Sequence, residues 1–233
     1  MNSPPYDKLR HVTTATITTM LLKKGIRRCW MDGPMPLAHA GERLIGPAFT
    51  LRFVPVREDL ATPESWGKPI STRAAIEAMP EGCIAVADAM GVQTAGIFGD
   101  ILVMRMARRG VTALVTDGVI RDKAGVVATR LPVWCRGTAA PASVNGLTFV
   151  GWQQPIGCGG CAIFPGDVIV ADDDGAIVIP QAMLEFVAHE GAEHELYESW
   201  VFSEVENGVK LPGLYPPNEE AKARYAAWRK SRS

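Results

Sequence analysis

The stretch that decides the fold is GCIAVADAMGVQTAGIFGDILVMRMARRGVTALVTDGVIRD, residues 82–122. It divides at its glycines. GCIAVADAM (82–90) is a short apolar run, the mark of a strand buried on both faces. GVQTAGIFG (91–99) is a loop. A helix is predicted from about 100 to 109, Gly110 stops it, and VTALVTD (111–117) reads as a second buried strand. Strand, loop, helix, strand predicts a right-handed crossover between parallel neighbours. Loops leaving parallel strands at their carboxyl ends line one edge of the sheet, where open α/β sheets bind ligands. One such loop spans 91–100 and the other 117–122. The 20 residues between Asp100 and Arg121 are about what a helix, a turn and a strand need to return to that edge. The acid at the helix start and the Arg121-Asp122 pair are therefore expected to meet.

Outward from this unit, residues 6–24 read as one helix with Leu9, Val12, Ile17, Met20 and Leu21 on one side, closed by Gly25. LIGPAFTLRFVPV (44–56) is strand-like, and STRAAIEAM (71–79) is a helix with a serine cap. Strands follow at 131–139, 147–152, 167–173 and 176–180, with turns at 165–167 and 172–175. Helices are predicted from about 181 to 207 and from about 218 to 230, joined by the extended connector GVKLPGLYPPN. The fold class is α/β: a mixed sandwich with a parallel βαβ at its centre. Residues 1–180 form the α/β domain, and 181–233 form a C-terminal helical arm of the same globular unit. A stiff proline-rich connector carries the last helix away from its own core, so Tyr225, Ala226 and Trp228 need a partner surface. A closed ring of identical subunits supplies one.

A chain of 233 residues suits one such domain, and 47% hydrophobic with 21% charged residues is ordinary for a soluble protein. A net charge of −1 gives no argument for nucleic acid or an anionic membrane as a partner. The apolar runs fall far short of a membrane span, and MNSPPYDKLRHVTTAT lacks the apolar stretch of a signal peptide. Five scattered cysteines point to a reducing cytoplasm rather than a disulfide scaffold.

The chemistry expected at the shared edge follows from residue types. The amides of Ile101 and Leu102, ahead of any intrahelical partner, bind an anion. Arg121 grips a carboxylate with two prongs. Asp122 is a hard oxygen ligand able to hold Mg²⁺ while waters and substrate complete the octahedron. Asp100 orients a water or moves a proton. An anion pocket beside a divalent cation suits a 2-keto acid. The plain structural alternative is an N-cap at Asp100 and a surface turn at Arg121-Asp122.

With Asp100, twenty residues, then Arg121-Asp122, and with IGPAFTLR, GIFGDILV, VTDGVIRD and PGDVIVADDDGAIVIP, the chain resembles the RraA-like family over roughly residues 9–190. That family includes the 4-hydroxy-4-methyl-2-oxoglutarate/4-carboxy-4-hydroxy-2-oxoadipate aldolases. The resemblance implies a β/β/α sandwich of the swivelling-domain type, assembled as a homotrimer or homohexamer. It implies a divalent cation, Mg²⁺ with Mn²⁺ or another as substitutes, and no Schiff base. Asp122 would ligate it, Arg121 would stabilise an enolate, and Gly99, Ile101 and Leu102 would hold the pyruvyl carboxylate. Asp100 would hold a proton-carrying water. A glutamate from a neighbour's arm would complete the site; Glu198 is the best match, with Glu195 and Glu204 close rivals. The implied function is a class II lyase cleaving a 4-hydroxy-2-keto acid to pyruvate and a second carbonyl product, with oxaloacetate decarboxylation as a side activity. The family also holds regulators of RNA degradation, and a sugar-acid dehydratase or isomerase would use the same metal-enolate site.

Other motifs carry less. Cys158 and Cys161 have CxxC spacing, but a zinc site needs two more ligands; the only histidines are His11, His39, His189 and His194, and no second CxxC exists. A glycine-rich loop allowing close backbone approach is expected there. The 91–99 loop lacks a Walker lysine, and DDDG (172–175) reads as a turn. His189 and His194 read as solvated helix residues, and RMARR (105–109) as a cation-rich helix end.

Overall fold

The computed structural model describes residues 4–38 and 41–231; His39 lies outside them. A parallel sheet positions the site. β2 (Leu44–Pro55), β3 (Ile84–Asp88), β4 (Ala113–Thr116) and β5 (Val133–Cys135) run parallel in the order β5-β4-β3-β2, and β1 (Met35–Pro36) adds antiparallel to β5. β2 is long enough to serve two partners on one side. Its first residues pair with β7 (Val168–Asp172) at 44–47, and its later ones pair with β6 (Leu147–Trp152) at 51–55. β8 (Gly175–Ile179) closes a hairpin with β7 through the two residues Asp173 and Asp174, so DDDG is the turn expected.

Alternation across the parallel strands fills two cores. Ile84, Val86, Ala113, Val115 and Trp134 point into one, with β7, β8, α2 (Thr14–Lys23) and the first half of α6 (Leu184–Glu206). Ala85, Ala87, Leu114, Val133 and Cys135 point into the other, against α3 (Thr72–Ala78) and α4 (Asp100–Arg108). Strands covered on both faces need apolar residues at successive positions, which is what 84–87 and 113–115 show. This is the expected β/β/α sandwich.

Three expectations need correcting. The helix read over 6–24 is two: α1 (Pro4–Leu9) and α2, because the Thr13 side chain accepts from the Thr16 amide and starts a new helix. The strand read over 131–139 stops at Cys135, where Gly137 at φ 141° turns the chain away. α5 (Lys123–Ala128) was not anticipated. The arm also differs from expectation. α7 (Glu219–Lys230) does not leave for another surface: Tyr225 and Trp228 pack with Tyr197 and Trp200 of α6 in a third, separate apolar cluster. Arg224 pairs with Glu204 and Arg229 with Glu193, fixing the return.

Candidate active site

The two loops at the carboxyl ends of β3 and β4 run side by side. The Ile97 amide donates to the Val119 carbonyl at 2.9 Å, and the Arg121 amide to the Phe98 carbonyl at 2.9 Å. This places the start of α4 beside the start of α5. Gly99 caps α4 and Asp100 is its first residue, so the acid sits one position inside the cap expected for it. Asp122 occupies the cap position of α5 in the left-handed region, φ 55° and ψ 45°, and its side chain makes no capping bond. A non-glycine residue held there is strained, and strain at a cleft goes with a positioned side chain.

The two helix starts interlock through glycines. A Cβ on Gly99 would lie 2.5 Å from Asp122 Oδ2, and one on Gly125 would lie 2.5 Å from Asp100 Oδ2. Each carboxylate thus rests on the bare backbone of the other helix, and a Cβ at either glycine would displace it. Arg121 Nε donates to Asp122 Oδ2 at 3.1 Å, with both side chains partly open to solvent.

Gly99, Asp100, Ile101, Leu102, Arg121 and Asp122 line one cleft of about 260 Å³. Six of the seven residues proposed from the sequence are therefore brought together. Two details differ. Asp100 Oδ1 accepts the Ile101 amide at 2.8 Å, so that amide is already engaged. The helix's own ladder begins with the Val103 amide donating to Gly99, which leaves the Leu102 amide ahead of it for a ligand. The seventh residue, Glu198, is expected from a neighbour's arm, and within its own chain it does not line the cleft. Its carboxylate accepts from Tyr215 Oη at 2.7 Å and lies 3.2 Å from His194 Nε2, inside its own arm. Its rivals are engaged as well: Glu195 accepts from the Thr13 amide and hydroxyl at 2.7 and 2.8 Å, capping α2, and Glu204 pairs with Arg224.

Sequence reasoning missed further lining residues: Trp66, Thr72 and Arg73 with Gly96, Ala142 and Ser143. Arg73 carried a signal: a cation in the first turn of a helix opposes the helix dipole, so it does not serve the helix. Trp66, Thr72 and Ser143 also border a second chamber of about 330 Å³, lined by Leu60, Ile70 and Phe149 among others.

The resemblance implies a divalent cation, and these residues bear on where it would bind. Among the described residues no three His, Cys, Asp or Glu side chains gather into a cage. One carboxylate is the share Mg²⁺ takes from a protein when water and substrate complete its shell, and Asp122, held open to the cleft against Gly99, fits that share. The CxxC does not compete. Cys158 and Cys161 are buried, burial pushes the Cys161 thiol up to about 11, and the segment forms a short turn whose Gly159 amide donates to Asp117.

An α/β sandwich with an acid–arginine cleft at the carboxyl edge of its parallel strands is the class these features define. The chain belongs to the RraA-like family (Aldolase/RraA), whose pattern matches residues 14–178. It is similar to RraAS2 of Streptomyces coelicolor, described as an unusual member of the RNase ES inhibitor RraA protein family: 35% identity, covering 86% of this chain and 96% of that one, TM-score 0.76. It is 37% identical over 150 residues to a Halalkalibacterium halodurans protein named "Putative 4-hydroxy-4-methyl-2-oxoglutarate aldolase", covering 64% of this chain and 65% of that protein. It is 29% identical over 187 residues to Protein DlpA of Legionella pneumophila, covering 78% of this chain but 29% of that protein.

Proposed function

We propose that the protein is a divalent-metal-dependent lyase that cleaves a 4-hydroxy-2-keto acid to pyruvate and a second carbonyl compound. The observation that carries this reading is the convergence of Asp100, Arg121, Asp122 and the Leu102 amide in one cleft. The aldolase name of the H. halodurans relative supports it. The substrate's carboxylate meets the Leu102 amide, and its keto oxygen faces Arg121. Asp100, or a water it orients, takes the proton of the C4 hydroxyl. The C4–O bond becomes a carbonyl as the C3–C4 bond breaks, and the electron pair moves onto the keto half as the pyruvate enolate. Arg121 faces the charge that develops there. A proton returned to C3 gives pyruvate. The cation, when bound at Asp122, supplies a Lewis acid for the keto oxygen. Oxaloacetate loses CO₂ through the same enolate, which makes its decarboxylation the expected side activity. The assembly in this reading is a homotrimer or homohexamer in which a neighbour's arm reaches the cleft.

A second reading rests on the likeness to RraAS2: a regulator that binds an RNA-processing complex without catalysis. Pyruvate release from a panel of 4-hydroxy-2-keto acids and oxaloacetate, with Mg²⁺ and with excess EDTA, separates the two. Turnover abolished by EDTA is expected. Turnover that survives EDTA overturns the metal-dependent mechanism, and no turnover on any substrate favours the regulator.

A further inference from the structure

Among the described residues Arg73 is the one basic residue lining the cleft besides Arg121, and the mechanism does not use it. Arginines here are mostly paired with acids: Arg57 with Asp59, Arg105 with Glu77, Arg136 with Asp32, Arg43 with Asp172. Arg73 has a natural partner one helical turn on, Glu77, at i+4. That carboxylate is taken. Arg105 donates to both its oxygens at 2.7 Å, and Arg109 approaches at 3.8 Å. Among the described residues no ion pair to Arg73 is formed. Its guanidinium instead lies over the Trp66 ring, its central carbon 4.9 Å from the centroid. A guanidinium held by its face keeps its edge, where all the N–H donors lie, free for a planar anion. The aromatic support also fixes the direction of that edge without neutralising the charge.

Resting on the 2-keto-acid reading above, we infer that Arg73, braced on Trp66, is a specificity-determining residue that binds a second carboxylate on the half of the substrate that departs. The keto-acid end is placed at the Leu102 amide, Arg121 and Asp122, and Arg73 lines the same cleft from α3, so the remainder of a ligand filling the cleft meets it. 4-Hydroxy-4-methyl-2-oxoglutarate, which names the H. halodurans relative, carries such a carboxylate; the inference assigns the residue that meets it. A purely aliphatic 4-hydroxy-2-keto acid leaves the Arg73 edge unmatched.

Calorimetric binding with Mg²⁺ tests this without relying on turnover. The probes are 2-oxoglutarate and 2-oxopentanoate, which share the keto-acid end and differ at the far end, carboxylate against methyl. The wild-type protein is expected to bind 2-oxoglutarate about tenfold or more tightly than 2-oxopentanoate, the scale of one charge-assisted contact. Arg73→Ala is expected to erase the difference by weakening 2-oxoglutarate alone, and Arg73→Lys to restore part of it. Unchanged 2-oxopentanoate binding reports an intact cleft. Equal binding of both probes by the wild type, or a preference that survives Arg73→Ala, overturns the inference and leaves the lyase reading standing. Binding of neither probe overturns both.

Discussion

Asp122 and Asp100 show how a residue type becomes a function only through its backbone. Both were legible in the sequence as acids at the ends of a βαβ unit. What the sequence did not display is that each lies on a glycine of the other helix, and that Asp122 sits in the left-handed region. Those facts depend on a contact between elements far apart in the chain. Nor did the sequence display that Glu198, expected to reach a neighbour's cleft, bonds with Tyr215 and lies beside His194 within its own arm. The cysteines give a residue-scale prediction. All five are buried, and burial pushes Cys83 and Cys161 up to about 11. At pH 8 a thiol with that pKa is on the order of 0.1% thiolate. A thiol reagent should therefore label none of the five within minutes in the native protein and all five after denaturation. Rapid labelling of Cys158 or Cys161 in the native state would restore a redox or metal role for the CxxC.

At the scale of elements, the decisive pair is α4 and α5. A Gly125→Ala substitution puts a methyl where the Asp100 carboxylate and its Cβ lie, 2.5 and 2.7 Å away. Alanine is the better helix former by about 0.5–1 kcal/mol, which offsets part of the clash in stability. Activity should therefore fall by tenfold or more while the thermal midpoint moves by only a few degrees; a fully active variant would show that the interlock is incidental. The long, strongly patterned elements were legible: β2, the βαβ of 82–117, the β7–β8 hairpin and α6 all stand close to where periodicity and turn residues put them. α5 was not, because KAGVVA is short, holds a glycine, and has two adjacent β-branched residues, which lower helix propensity. Its start signal was Asp122, a residue already read as a ligand. The break between α1 and α2 was missed because the apolar spacing runs through it, while the cap at Thr13 is completed by Glu195 from α6, 182 residues away.

At the scale of the whole molecule, the arm forms a small core of its own. Trp200, Val201, Leu214 and Ala221 are buried there, yet Leu196, Phe202, Val205, Leu211 and Tyr215 remain exposed around it. So many exposed apolar side chains on one unit fit a surface that another subunit covers. Removing residues 208–233 takes away Leu214, Ala221, Tyr225 and Trp228, and so uncovers Tyr197 and Trp200. By analytical ultracentrifugation the full chain should sediment as a trimer or hexamer and the truncated one as smaller species. A full-length monomer with full activity would remove any catalytic role for a neighbour's arm.

The central claim is that the charged corner of the βαβ unit is a catalytic site, and Arg121 tests it most directly. The measurement is kcat for pyruvate release from a 4-hydroxy-2-keto acid with Mg²⁺, comparing the wild type with Arg121→Ala and Arg121→Lys, each shown by circular dichroism to be folded. Loss of a charge-assisted contact to the enolate should lower kcat on the order of 10²-fold or more, and lysine should recover little, since a point charge does not reproduce the guanidinium fork. Wild-type turnover in both variants would contradict the account.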